Sequence, residues 1–189
     1  MSKVVIDASV AVKWVVEERD TPSAISLLMN AKLIAPDLLV AECADILWKK
    51  YRNREITKDH ALMAANLLER SEIELFSTRS LLECTTQIAG DLSYPAYDCL
   101  YLALAIKNKC HFVTADEDFY RIVQKSRFRP FSKFGINVNP VVLLSNIAPD
   151  RPLQNDDPKA FSGRKLKSSI KVKKVKIKKV KVKKRPLEN

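Results

Sequence analysis

Residues 94–119, YPAYDCLYLALAIKNKCHFVTADEDF, decide the fold of this chain. After Pro95, positions Ala96 to Lys107 are nearly all apolar, and a helix apolar on every side is a buried helix. Asp98 is the only charge between Ala96 and Ile106. His111 to Ala115 then reads as a short strand without polar alternation, the pattern of a strand covered on both faces. Asp116 closes that strand, and Asp116 to Lys125 reads as the next helix. A buried helix, an apolar strand and a further helix form a unit of an α/β sheet.

The same unit recurs upstream. Lys3 to Ile6 is a β-branched run that reads as a buried strand, with Asp7 directly after it. Ala8 to Glu18 reads as a helix, and Thr21-Pro22-Ser23 starts another that runs from Ser23 to Asn30. Leu33 to Ala35 is a second strand, and Pro36-Asp37 opens a helix over Leu38 to Tyr51. Thr57 to Arg70 is a helix, Ile73 to Phe76 a third strand, and Thr78 to about Ser93 a helix. Val141 to Leu144 is a last strand. Alternating short strands and helices predict a three-layer α/β/α domain on a parallel sheet, covering residues 1–149. A polar linker, 150–162, and a Lys-rich tail, 163–189, follow.

Composition excludes several classes. The 189 residues hold only three glycines, with neither a G-x-G-x-x-G nor a G-x-x-x-x-G-K motif, so glycine-loop nucleotide binding is not expected. No apolar run reaches the ~20 residues of a membrane span. MSKVVIDAS lacks the apolar core of a signal peptide, which predicts a cytoplasmic protein. Cys43, Cys84, Cys99 and Cys110 are scattered, and His60 and His111 are the only histidines, so no zinc spacing exists. Reduced, buried thiols are the simple reading of the cysteines.

The formal charge of +11 is unevenly placed. Thirteen of the 33 Lys and Arg, but only Glu188 of the 22 acids, fall in 163–189. The tail therefore carries +12, and the body, with 20 bases and 21 acids, carries −1.

Four carboxylates sit in apolar surroundings: Asp7, Glu42, Asp98 and Asp116. A buried, isolated carboxylate is costly, so each needs a partner or a cation. Each also has a structural explanation of its own. Asp7 and Asp116 are placed to cap helices, Asp98 to favour a helix dipole, and Glu42 to pair with a buried base. Taken together, two acids follow strand ends and two stand in first helical turns, the side of a parallel sheet where ligands bind. Carboxylates gathered there repel one another, and hard oxygen donors suit Mg²⁺ or Mn²⁺.

Four segments carry a family resemblance: VVIDAS, PDLLVAECADILWKKY, YPAYDCLYLALA and FVTADEDF. In this order they resemble the acidic motifs of PIN-domain ribonucleases, especially VapC-type toxins, over roughly residues 3–148. The Y-D-x-x-Y-x-A-L-A helix followed by T-A-D-x-x-F is the specific part. The resemblance implies that Asp7, Glu42, Asp98 and Asp116 bind one or two Mg²⁺ or Mn²⁺ ions and cleave RNA, leaving 5′-phosphate and 3′-hydroxyl ends. It implies support from Ser9 and Thr114, with Asp118 as a further candidate acid or a surface charge. It also implies a homodimer and a small antitoxin protein as partner. Two other readings are a non-catalytic PIN-fold module for nucleic-acid binding or assembly, and a phosphate-acceptor receiver domain. The latter lacks its second acid beside Asp7.

The tail reads IKVKKVKIKKVKVKK from Ile170 to Lys184 and repeats every five residues from Val172. Five matches neither helix nor strand period, and dense charge opposes collapse, so disorder is expected. Lys171, Lys173, Lys174, Lys176, Lys178, Lys179, Lys181, Lys183 and Lys184 form either a solvated extension or a phosphate-binding arm. With no aromatic from Lys165 onward, such an arm reads no sequence. Deleting 163–189 is expected to weaken single-stranded RNA binding at least ~10-fold at low salt and to flatten its salt dependence, since each phosphate contact contributes about −0.7 to the slope. Titrations at two salt concentrations check this, and an unchanged slope would leave the tail a solvated extension.

Overall fold

Val4, Val5 and Ile6 are completely buried, and the sheet grows from them. The computed structural model describes residues 2–126 and 140–149; the linker 150–162 and the Lys-rich tail lie outside the described residues. Strand β1 (Ser2–Ile6) pairs in parallel with β2 (Ala31–Pro36) on one side and with β4 (His111–Thr114) on the other. β3 (Glu74–Phe76) adds beyond β2, and β5 (Val141–Leu143) beyond β4. The order is β3-β2-β1-β4-β5, all parallel.

The order reverses at β1, which is met first in the chain but stands at the centre. Right-handed crossovers then place the helices of the first half on one face and those of the second on the other. The first group is α1 (Ala8–Ala11), α2 (Thr21–Asn30), α3 (Leu38–Arg52) and α4 (Lys58–Glu69). The second is α5 (Leu82–Leu92), α6 (Ala96–Asn108) and α7 (Glu117–Lys125). The expected three-layer α/β/α domain is the observed one. α6 packs across β1, β2 and β4, which is why Cys99 and Tyr101 to Ile106 are buried. Tyr101 of α6 stacks on Phe112 of β4 at 5.6 Å, and Phe112 meets Phe119 of α7 at 5.9 Å, joining one helical layer to the sheet. With few glycines available, α5 and α6 end on the left-handed residues Ser93 and Lys109, a conformation that usually favours glycine.

Two helices are shorter than their sequences suggest. The helix expected over Ala8 to Glu18 stops at Ala11 and tightens into a 3₁₀ turn over Val12–Trp14. Four valines weaken it, and tertiary bonds overrule it. Trp14 Nε1 donates to the Ala24 carbonyl at 2.8 Å, and Thr21 Oγ1 to the Lys13 carbonyl at 3.2 Å, so the chain folds back. The buried Lys13 needs an acid, and Glu18 turns in to meet it at 2.6 Å. Glu18 also receives Lys50 of α3 at 2.5 Å, and Lys50 reaches Glu55 at 3.0 Å. The single helix expected from Thr78 to Ser93 is a 3₁₀ turn, Thr78–Leu81, followed by α5.

Phe112 is fully buried between aromatic rings, whereas Leu62 on α4 is 60% exposed. Phe112→Ala is expected to lower stability by about 3–5 kcal/mol, and Leu62→Ala by no more than about 0.5 kcal/mol. Urea unfolding of both variants measures the contrast.

Candidate active site

β1 and β4 are neighbours at the point where the strand order reverses, and the chain leaves them in different directions. The crevice beyond such a pair is the natural ligand site of a doubly wound sheet. Asp7 stands at the end of β1 and caps α1, its Oδ1 accepting from the Val10 N–H at 3.1 Å. Ser9 Oγ donates to the same oxygen at 2.5 Å, and Thr114 Oγ1 of β4 donates to Oδ2 at 2.5 Å. Ser9 Oγ in turn accepts from the Ala115 N–H at 2.9 Å. Asp116 caps α7, its Oδ1 accepting from the Asp118 and Phe119 N–H groups at 2.8 and 2.9 Å. The capping role and the cleft position therefore coincide in both residues.

Glu42, in the second turn of α3, and Asp98, in the first turn of α6, complete the gathering. All four acids line one cleft of about 390 Å³, together with Ser9. Thr114 stands behind Asp7 in the buried layer. Asp118 does not line the cleft; it is exposed on α7 and faces Arg121 at 3.2 Å. Three cleft-associated residues have no role in the sequence reading. Asp45 lines the cleft one turn beyond Glu42, a position its i+3 spacing signals. Tyr97 stands on the rim, 65% exposed. Tyr101, three residues after Asp98, sends its hydroxyl to Glu42 Oε2.

Burial and crowding set the electrostatics. Burial pushes the Asp7 carboxyl up to about 6 against the pull of its three donors, with Glu42 adding repulsion. Asp98 is likewise raised to about 6, first by burial and then by Asp116 and Asp7. Glu42 rises through burial and Asp98, although the Tyr101 bond opposes this. Burial pushes the Cys43 and Cys99 thiols up to about 12 and Cys110 to about 11, which keeps these three protonated near neutrality, and it raises Cys84 as well. All four cysteines are free. Neither histidine lines the cleft; His60 Nε2 lies 3.2 Å from the Val15 carbonyl, and His111 Nδ1 3.4 Å from that of Pro140.

The donor set suits a divalent cation in kind, since hard oxygens and unrelieved carboxylate repulsion face one space. It is not a closed coordination shell: among the described residues no three His, Cys, Asp or Glu side chains are gathered tightly enough to hold one ion. Asp7 and Asp116 are fixed by donors from the backbone and hydroxyls, and Glu42 is tied to Tyr101. Among the described residues Asp98 has no side-chain hydrogen-bond partner beyond its own backbone, so it is the least restrained of the four.

A family model for the PIN domain matches residues 4–125, which contain all four acids. The chain belongs to the PIN-domain family. PIN domains are typically nucleases, and membership supports a hydrolase. No curated protein matches the chain in sequence. Among solved structures, PAE2754 from Pyrobaculum aerophilum is similar in fold, with a TM-score of 0.52 and 19% identity over 67% of this chain and 81% of that one. VapC20 of Mycobacterium tuberculosis, described as a Sarcin-Ricin loop cleaving toxin, aligns with a TM-score of 0.49 and 16% identity over 62% of this chain and 93% of its own. No helix among the described residues of this PIN-domain chain is long and apolar enough to cross a membrane.

Asp7 holds its proton more tightly in the folded PIN domain than in the unfolded chain. It therefore stabilises the fold at low pH, and this contribution is lost as pH rises from about 4 through about 6. Asp7→Asn removes that loss. In metal-free buffer the variant is expected to match the parent near pH 4 and to exceed it by up to about 3 kcal/mol near pH 7. His111, whose lowered pKa acts in the opposite sense, is common to both proteins and cancels in the difference. Urea unfolding across pH 4–7 checks this; a variant less stable than the parent at pH 7 would show that the three hydrogen bonds outweigh the cost of burying the charge.

Proposed function

We propose that the chain is a metal-dependent endoribonuclease and the toxin of a toxin–antitoxin pair. The observation that carries this reading is the lining of the cleft. Asp7, Glu42, Asp45, Asp98 and Asp116 face it, and among the described residues no Lys, Arg or His does. Such a surface repels a phosphodiester, so a cation has to be recruited for it to bind one. Asp7, Glu42, Asp98 and Asp116 would hold Mg²⁺ or Mn²⁺, which supplies charge neutralisation at phosphate oxygens and an acidified water.

The protein's own residues supply order. Thr114 and Ser9 fix both oxygens of Asp7, so that carboxylate is presented in one orientation. The α7 N–H groups do the same for Asp116. Tyr101 restrains Glu42. Asp98 is left to adjust. Ser9 and Thr114 act as supports rather than reactants. The tail lysines hold RNA phosphates without sequence preference. The protein works as a cytoplasmic homodimer whose cleft is blocked by a small antitoxin.

Purified protein incubated with total RNA, with Mg²⁺, with Mn²⁺ and with EDTA, tests the reading. Cleavage in the first two and 5′-phosphate ends are expected. Asp98→Asn should lose at least ~100-fold in rate, the scale of a lost metal contact, with its thermal unfolding preserved. Equal cleavage in EDTA would end the metal reading. RNA binding without cleavage under any condition would favour the non-catalytic module. Co-purification with a small protein encoded immediately upstream tests the toxin role.

A further inference from the structure

Helix α3 leaves the cleft carrying a pattern that the four acids do not explain. Asp45 lines the cleft, and Trp48, Lys49 and Arg52 follow it by three, four and seven residues. At 100° per residue those positions share one face of the helix. Lys49 Nζ lies 2.7 Å from Asp45 Oδ2, so the face is continuous with the cleft wall. The Arg52 guanidinium stacks over the Trp48 ring, 4.5 Å from its centre. Trp48 is 49% exposed.

Neighbouring bases on α3 are sorted by role. Lys50 is consumed by Glu18 and Glu55. Arg52 pairs with no carboxylate among the described residues, and the Lys49–Asp45 pair is half exposed and therefore weak enough to exchange. The apolar groove on the other side of α3 is built from Leu39, Cys43 and Leu47; Trp48 is not part of its lining. An exposed indole beside a guanidinium and an ammonium is a base-stacking and phosphate-holding set. From Glu42 to Arg52 the helix rises about 15 Å, the length of about four nucleotides at duplex spacing and fewer when stretched.

We propose that the C-terminal half of α3 is a track for single-stranded RNA leading into the cleft, with a base on Trp48 and phosphates on Lys49 and Arg52. This rests on the nuclease reading for what happens at the cleft, and names how its substrate is held. It also resolves the charge problem of a cleft whose charged lining residues, among those described, are all acidic. The flanking nucleotides are gripped one to three turns away, by the first positive charges that α3 presents beyond the acids.

The test uses the full chain and an RNA of about eight nucleotides in EDTA, so that binding is read without cleavage. The chain has two tryptophans. Trp14 is partly buried with its Nε1 bonded to Ala24, so fluorescence quenching on titration reports Trp48. Trp48→Phe should abolish the quench while retaining most of the affinity, and Trp48→Ala should weaken binding about 10-fold. Lys49→Gln with Arg52→Gln should weaken binding about 10-fold at low salt and reduce the salt slope by about 1.4. The tail contributes equally to every variant, and the three side chains are exposed, so thermal unfolding should not move. Unchanged affinity and slope in both Trp48→Ala and the double variant would overturn the track. So would variants that bind RNA normally but sediment at a different oligomeric state, which would make this face a protein contact. Cleavage by a parent whose variants bind normally sinks the track alone. Quench and variant losses in a protein that never cleaves sink the nuclease reading alone.

Discussion

The structure depends on keeping one carboxylate buried. Asp7 is almost inaccessible, at the centre of the sheet, and an unpaired carboxylate there would be prohibitive. Its three donors come from the turn it caps, from Ser9 and from Thr114 on the neighbouring strand. Satisfying Asp7 therefore fixes the start of α1, the end of β4 and their separation. Ser9 extends the web by receiving the Ala115 N–H, and Thr114 Oγ1 by receiving the Asp116 N–H at 2.9 Å. Asp116 is thus set in place by the same hydroxyls that hold Asp7. Two of the five acids that line the cleft share one support.

This local origin explains what could be read from sequence. An acid directly after an apolar strand is visible as a break in a run, so Asp7 and Asp116 are legible, and a nearly all-apolar helix exposes Asp98 in the same way. Five strands and the parallel α/β/α arrangement follow from equally local contrasts. Helix faces are harder. α3 has apolar residues on the side of its groove and others, such as Leu38 and Ile46, on the side of the cleft, so no single stripe orients it. Asp45 is therefore hidden although it stands one turn from Glu42. Asp118 is the converse: it shares a motif with Asp116, but two residues further along a helix is a turn of 200°, toward solvent and Arg121.

Helix ends decided by distant bonds are not legible at all. Nothing within Ala8 to Glu18 says that Thr21 and Ala24 will compete for its last turn. Nor does the sequence announce that Lys13 will be buried and drag Glu18, and with it Lys50, into one chain of charges. Tyr101 is legible as a core aromatic and silent as a donor, because its partner Glu42 lies 59 residues away.

The central position of β1 has a consequence in time. β1 is synthesised before either strand it pairs with, and its second neighbour, β4, begins only at His111. Thr114 and Asp7 are 107 residues apart. At synthesis rates of about 5–20 residues per second, the nascent chain spends several seconds with at most one edge of β1 able to pair and with Asp7 lacking its second hydroxyl. The cleft cannot exist in that interval, because one wall has not been made. Whatever chemistry it performs is withheld from the ribosome that is building it until most of the domain has emerged.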